Sequence, residues 1–506
     1  MAEATAAAPP LGLWTKLNYG LGATAAGVAY AALSGAVLQY YLNQVMRLPA
    51  ILVGTAIMIS LAADAVVDPL LGQWSDNFRS RWGRRHPFMY ASAILASASF
   101  YGLWHAPQSL SGLGLLAYVL LLLVLVRISV SLFDVPNNAL APELAPDYDQ
   151  RTVLSSFRFF FFVFGLASMS YLLNGVFLRK DATHPLGLLN REGYAQFGLV
   201  GALVILATIL ASSLGTHDRI PHLHRPPQRH VTLAQTFGEI IATLTNPSLV
   251  ALLVAGVVGG AAAGMQGGLD YYFYTHLWGL APGQLAALLP VASLGSVIAV
   301  FAAPPLSRRF GKKRTMIGLF SGSTLAGLTP MSLRLFDLMP PNGAPLTFAI
   351  LLLTAVVVGT LAIMGYIIIA SMVADVVEDN AVRTGVRSEG LLFATNGLVP
   401  KFTAGIGAFF AGLLVTLVHF PTHAVQGSVP AELMRRLILL YLPTYAVLVA
   451  ASIAVLALYR IDRHTHEHNL ERLKEMATLG VVDEPPEAEP PQTGPLAAEP
   501  GAAASA

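Results

Sequence analysis

The chain has 506 residues, of which 55% are hydrophobic and 11% charged, with a mean hydropathy of +0.62. Soluble globular chains carry about 25% charged residues, so the composition excludes a soluble domain and points to a polytopic membrane protein. The absence of cysteine excludes disulfides, thiolate nucleophiles and cysteine-held metals, and a formal net charge of +2 means little until the charges are placed.

The first residues, MAEATAAAPPLGLWTK, lack the basic start and apolar core of a cleavable signal, so the first apolar helix is predicted to insert uncleaved. About 20 apolar residues cross the roughly 30 Å of hydrocarbon in a bilayer. Such runs fall at 18–43, 50–75, 87–106, 113–139, 153–178 and 195–215, then at 247–275, 282–306, 314–334, 346–376, 390–418 and 434–459. The reading is an all-α membrane protein with twelve transmembrane helices, divided as an N-terminal segment (1–16), a six-helix bundle (17–215), a linker (216–246), a second six-helix bundle (247–460) and a tail (461–506). The tail is rich in Pro, Ala and Glu without apolar periodicity and is expected to be disordered.

Basic residues mark one side. Arg79, Arg81, Arg84 and Arg85 follow the second run, Arg308, Arg309, Lys312, Lys313 and Arg314 follow the eighth, and Arg219, Arg225 and Arg229 lie in the linker. Arg383 and Arg387, then Arg460, Arg463, Arg472 and Lys474, extend the pattern, and Arg179, Lys180 and Arg191 depart from it. The positive-inside bias makes that side, and both termini, cytoplasmic in a bacterial inner membrane. RWGRR at Arg81–Arg85 and RFGKK at Arg309–Lys313 occupy equivalent places in the two halves. A parallel repeat around a midplane site is the architecture of major facilitator transporters. The linker histidines His217, His222, His224 and His230 read as part of a solvated tether, with metal binding as the competing reading.

Charges inside the apolar runs carry the functional signal, because each is costly at bilayer depth and faces the bundle interior or a wet cavity. They are Asp64 and Asp68, Arg127 and Asp134, Arg158, Asp270, and Lys401. Four acids against three bases leave one negative charge in excess. Asp64 and Asp68 share a helix face at i, i+4, and two such carboxylates recruit a cation or hold a proton. The competing reading pairs them with Arg158 and Lys401 as a lock between bundles. At the end of the second run, GQWSDNFRSRWGRR places Gly72 and Asp76 ahead of Arg84 and Arg85 in the facilitator loop pattern, which reads as a cytoplasmic gate. Among the aromatics, FRFFFFVF at Phe157–Phe164 could stack on a substrate ring or face lipid. Tyr40, Tyr41, Tyr271, Tyr272 and Tyr274 could line a cavity or form an interfacial belt.

DAVVDPLLGQWSDNFRSRWGRRHP, FDVPNNALAPEL (Phe133–Leu144), SSFRFFF (Ser155–Phe161), MVADVVEDN (Met372–Asn380) and LVPKFTAGIGAFFAG (Leu398–Gly412) together resemble the glycoside-pentoside-hexuronide:cation symporters, over most of residues 17–460. The resemblance implies that Asp64, Asp68 and Asp134 form the coupling site, with Ser131 where the melibiose carrier, the best-known member, has a cation-binding threonine. It implies further that Arg158 belongs to the sugar pocket and that Lys401 communicates with the cation site. Two positions depart from the family pattern. Val67 replaces an asparagine of the cation site, and Gly27 replaces the sugar-binding aspartate of the first helix.

Losing an amide oxygen weakens a Na⁺ shell, whereas a proton needs one carboxylate, so H⁺ is the expected coupling ion, Na⁺ at Asp64 and Asp68 being the alternative. The expected function is cation-coupled symport of a sugar, glycoside or uronide, with Arg158, Lys401, Arg127, Asp270, Tyr40 and Tyr271 toward the solute. The alternative is a cation-coupled transporter or exporter of an amphipathic, lipid-like or anionic solute. No Walker, H-E-x-x-H or serine-nucleophile motif supports an enzyme. The expected partners are the solute, the coupling ion and the bilayer, with no cofactor, no nucleic acid and a monomeric state.

Overall fold

A computed structural model describes residues 11–145, 148–180, 187–222, 246–293, 295–384 and 399–461, with a few positions between 465 and 475. The linker arginines Arg225 and Arg229, His224 and His230, Arg387, Arg463, Lys474 and the end of the tail lie outside the described residues.

The first apolar run is a broken rod of three helices, α1 (Leu13–Leu21), α2 (Ala23–Ala32) and α3 (Gly35–Tyr40). It bends by 43° at the break before Gly35, where Ser34 leaves helical geometry. Four long helices follow in the first half: α4 (Ala50–Asn77), α5 (His86–Trp104), α6 (Gly112–Leu144) and α7 (Tyr148–Leu172), and then α8 (Arg191–Gly215) closes it. The second half holds α9 (Pro247–Tyr272), α10 (Pro282–Ser293), α11 (Gly295–Phe310), α12 (Lys312–Leu335), α13 (Pro345–Thr384), α14 (Val399–Leu417) and α15 (Ala431–Leu456). The structure is all-helical among the described residues. Eight of its helices are long and apolar enough to cross a membrane, and the bent first run makes a ninth.

The halves repeat in detail. Gly83 in RWGRR (φ +75°) and Gly311 in RFGKK (φ +79°) both take the left-handed conformation that a glycine adopts without a Cβ penalty, so the two basic loops turn alike. At the opposite end, α3, α7 and α9 each finish in a π-turn: Tyr41–Val45, Leu173–Phe177 and Phe273–Leu277. Such turns widen the helix and redirect side chains. Here they present the polar groups that tie the halves together.

Between the halves, backbones approach wherever side chains are small, the usual means of close helix packing in lipid. A Cβ added to Gly54 of α4 would lie 2.5 Å from the Ala408 carbonyl oxygen of α14, and one on Gly405 would lie 3.1 Å from Met58 Cα. The α4–α14 seam is thereby fixed in register, and that register brings a lysine of one helix to the aspartates of the other.

Candidate functional site

Lys401 Nζ lies 2.7 Å from Asp64 Oδ2 and 2.5 Å from Asp68 Oδ2. The i, i+4 spacing puts both carboxylates on the α4 face that meets α14, and the lysine reaches between them. Ser131 of α6 donates to Asp64 Oδ1 at 3.0 Å. Arg127, one turn away on α6, donates from Nε to Ser60 Oγ at 3.0 Å and interacts electrostatically with Asp64. Two acids therefore meet two bases, and the cluster is neutral. Asp68 Oδ1 remains buried without a hydrogen-bond partner. The side chain of Val67, beside it, packs with Leu71, Phe88 and Leu132, turned to the apolar core.

A second cluster sits on α6 and α7. Arg158 donates to Asp134 Oδ1 and Asn137 Oδ1, each at 2.6 Å. The pair borders a cleft of about 390 Å³ lined by Ala23 and Ala26 of α2, Asn138, Ser155, Phe159 and Phe162. Gly27, next to Ala26 and one turn beyond Ala23, packs directly on α7. A Cβ there would run into the Phe162 carbonyl oxygen and come within 2.8 Å of Leu166 N. An aspartate has no room at this position.

At the basic end, Arg84 and Arg85 converge on Glu143, the last acid of α6, with Arg85 Nη2 2.8 Å from it and 3.1 Å from Asp76. Burial pushes the Arg85 guanidinium below its ordinary value, and the Glu143 and Asp76 carboxylates pull it back up. Gly72 lies 3.6 Å, as measured to an added Cβ, from Val135 of α6, with room for a methyl group. The second half repeats the latch with different residues: Lys312 Nζ donates to Asp375 Oδ1 and Oδ2 at 2.6 and 2.7 Å. Glu143 and Asp375 stand in the quoted segments FDVPNNALAPEL and MVADVVEDN, but sequence reading gave them no role. Their position at equivalent helix ends, each facing an arginine or lysine of a basic loop, was the available signal.

The opposite end is sealed. Tyr40 packs edge-on against Tyr271 and Tyr272, and its hydroxyl meets His276 at 3.3 Å. Tyr271 donates to Asn174 Oδ1 at 3.0 Å, and Tyr272 to Asn43 Oδ1 at 2.8 Å. Gln44 completes the seam, donating to the Pro421 carbonyl at 3.0 Å and accepting from Ala424 N at 2.8 Å. Tyr40 and Tyr271 are thus buried between the halves rather than set along an open surface. Asn43, Gln44, Asn174 and His276 went unread in the sequence, because polar residues within apolar runs or at their ends carry no fixed spacing.

Asp270 stands apart from all these clusters. It makes no ion pair and no side-chain hydrogen bond among the described residues, and it is half-buried. Of the seven charges inside apolar runs, it is the one that no neighbour neutralises.

Two helical halves, a charged cluster between them and latches at one end define a multi-pass membrane transporter of the major facilitator type. The chain belongs to the MFS/sugar transport protein family, whose profile matches residues 18–463. It is 25% identical over 471 residues to an Escherichia coli protein provisionally named as the glycoside/cation symporter YagG, covering 92% of this chain and 96% of that one. It is 22% identical over 499 residues to the lactose permease of Lactobacillus delbrueckii subsp. bulgaricus, covering 94% of this chain and 75% of the permease. In fold it resembles a variant of the nucleoside transporter NupG, with a TM-score of 0.61 at 15% identity over 88% of this chain and 99% of that one. These relatives are transporters, and the chain is not an enzyme.

Proposed function

We propose that the protein is a proton-coupled symporter of a sugar or glycoside, working by alternating access in a bacterial inner membrane. Twelve spans carry it, the bent first run counting as one, α5 and α12 as one each, and α10 with α11 as another. The basic loops and both termini face the cytoplasm, and the six-helix halves are residues 17–215 and 247–460.

The observation that carries the proposal is the place of Lys401. Its ammonium occupies the space between the two carboxylates that a Na⁺ ion would need. A fixed cation there repels a mobile one, and Val67 offers no oxygen to offset the repulsion. A proton enters differently. It neutralises one carboxylate, and Asp68 Oδ1, buried without a partner, is the oxygen with a lone pair to receive it. Protonation weakens the hold of Lys401, which joins the halves, so proton binding and bundle separation are linked.

In this reading Asp134 and Arg158 border the solute cleft. Tyr40 and Tyr271 act in the external gate. Arg84, Arg85, Asp76, Gly72 and Glu143, with Lys312 and Asp375, form the cytoplasmic latches.

The test is Asp68→Asn in proteoliposomes. Counterflow of a radiolabelled sugar should persist, because exchange needs no coupling proton, whereas accumulation driven by a pH gradient should vanish. Accumulation equal to the wild type would remove Asp68 from the coupling path.

A further inference from the structure

Lys401 alone cannot balance two carboxylates, so the net charge of the coupling cluster depends on Arg127. Asp64 and Asp68 share the lysine at 2.7 and 2.5 Å. Among the described residues they form ion pairs with no other side chain, and Asp134, two turns along α6 from Arg127, is held by Arg158. Without Arg127 the cluster would carry one net negative charge at bilayer depth, where a carboxylate lacking a counter-charge takes up a proton and keeps it.

The contact between α4 and α6 fixes where the arginine sits. Ser60 and Asp64 lie one turn apart on α4, and Arg127 and Ser131 lie one turn apart on α6. Two hydrogen bonds of 3.0 Å cross between the helices: Arg127 Nε donates to Ser60 Oγ, and Ser131 donates to Asp64 Oδ1. Ser60 is fully buried and donates in turn to the Ile57 carbonyl at 2.8 Å, so the anchor of the arginine is itself tied to α4. The guanidinium is therefore held about one turn from the Asp64 carboxylate, on the side away from Asp68. Arg127 forms no ion pair of its own among the described residues. In a medium of low dielectric, a fixed charge at that separation acts on a carboxylate without touching it.

A symporter must lose its proton after the solute has left, or it runs only as an exchanger. We propose that Arg127 is a positioning residue for proton release: held on Ser60 beside the Asp64–Asp68–Lys401 cluster, it supplies the second positive charge that lets both carboxylates stand ionised once the proton has gone. The inference rests on the proton-coupled reading above and assigns the step which that reading leaves open. In this step the O–H bond of the carboxylic acid breaks, the proton passes to water, and the electron pair stays on the carboxylate, which regains its contact with Lys401. Arg127 remains charged throughout.

The experiment titrates the full chain in detergent, with no solute and no gradient, while infrared difference spectra follow the carboxylic-acid C=O band that Asp68→Asn removes. In Arg127→Gln the pH at which this band is half-formed should rise by about one unit or more, because the lost charge no longer opposes protonation. Arg127→Lys, which keeps the charge, should titrate as the wild type does. A role in packing alone would not separate the lysine variant from the glutamine variant in this way. Arg127→Met, apolar and of similar length, takes the place of Arg127→Gln if that variant does not fold. An unchanged midpoint in the uncharged variant, the same shift in Arg127→Lys, or the absence of any band sensitive to Asp68→Asn would each overturn the proposal. These readouts involve no transport, so they can fail while the Asp68→Asn accumulation test succeeds, and the reverse.

Discussion

Lys401 Nζ bridges Asp64 and Asp68 at 2.7 and 2.5 Å, so a single ammonium on α14 neutralises carboxylates on α4 across the seam between the two halves. Removing one partner from such a buried arrangement leaves uncompensated charge, at a cost on the order of 3–5 kcal/mol. Lys401→Ala should therefore lower the melting temperature more than Asp68→Asn, since the first leaves two carboxylates with Arg127 as their one remaining counter-charge, whereas the second leaves Lys401 its contact with Asp64. Adding Asp68→Asn to Lys401→Ala should recover part of the loss, with a coupling of about 0.5–3 kcal/mol in a double-mutant cycle. Strictly additive melting shifts would show that the pair does not interact in the folded protein.

The first helix cannot take back the acid it lacks. A Cβ at Gly27 meets the α7 backbone at Phe162 and Leu166, so Gly27→Asp and even Gly27→Ala should force α2 and α7 apart. Both variants should show reduced yield and a broadened size-exclusion profile. A well-behaved Gly27→Asp would mean that the α2–α7 contact is looser than its geometry.

The latch in the second half lends itself to charge reversal. Asp375→Lys should impair transport by setting two lysines together, and Lys312→Asp combined with it should restore a substantial part of the rate. The measurement is initial counterflow rate at matched protein levels. Failure of the double variant to exceed either single one would argue against a Lys312–Asp375 latch.

Cysteine labelling tests the topology without background, as the native chain has no cysteine. Ser80 is exposed in the loop after α4, and Gln426 lies in the loop between α14 and α15. A membrane-impermeant maleimide added to intact cells should leave Ser80→Cys unlabelled and react with Val425→Cys, the exposed neighbour of Gln426. Labelling of Ser80→Cys from outside would invert the assigned orientation.

Much of this architecture was legible in the sequence. Each of the twelve apolar runs contains helix among its described residues, and the repeat of RWGRR in RFGKK corresponds to loops that share a left-handed glycine. The buried charges were legible as a set because each is costly in lipid. Their pairing was not. The lock reading assigned Arg158 and Lys401 together to Asp64 and Asp68, but Arg158 turns to Asp134 and Asn137 on its own side. Partner choice depends on helix rotation and on the register of the α4–α14 seam, and small residues far from the charges set both. Among the described residues the acid without a basic partner is Asp270, not a member of the i, i+4 pair that drew attention to the charges.

Ion replacement tests the central claim most directly. In proteoliposomes holding the wild-type protein, uptake of a sugar that shows counterflow is measured under an imposed inward proton gradient, with external Na⁺ replaced by choline at fixed pH. Proton coupling through Asp68 and Lys401 predicts that accumulation follows the pH gradient, is abolished by a protonophore and is unchanged in choline. Accumulation that collapses in choline while the pH gradient is maintained would show that the carboxylate–lysine cluster holds Na⁺, and would contradict the account.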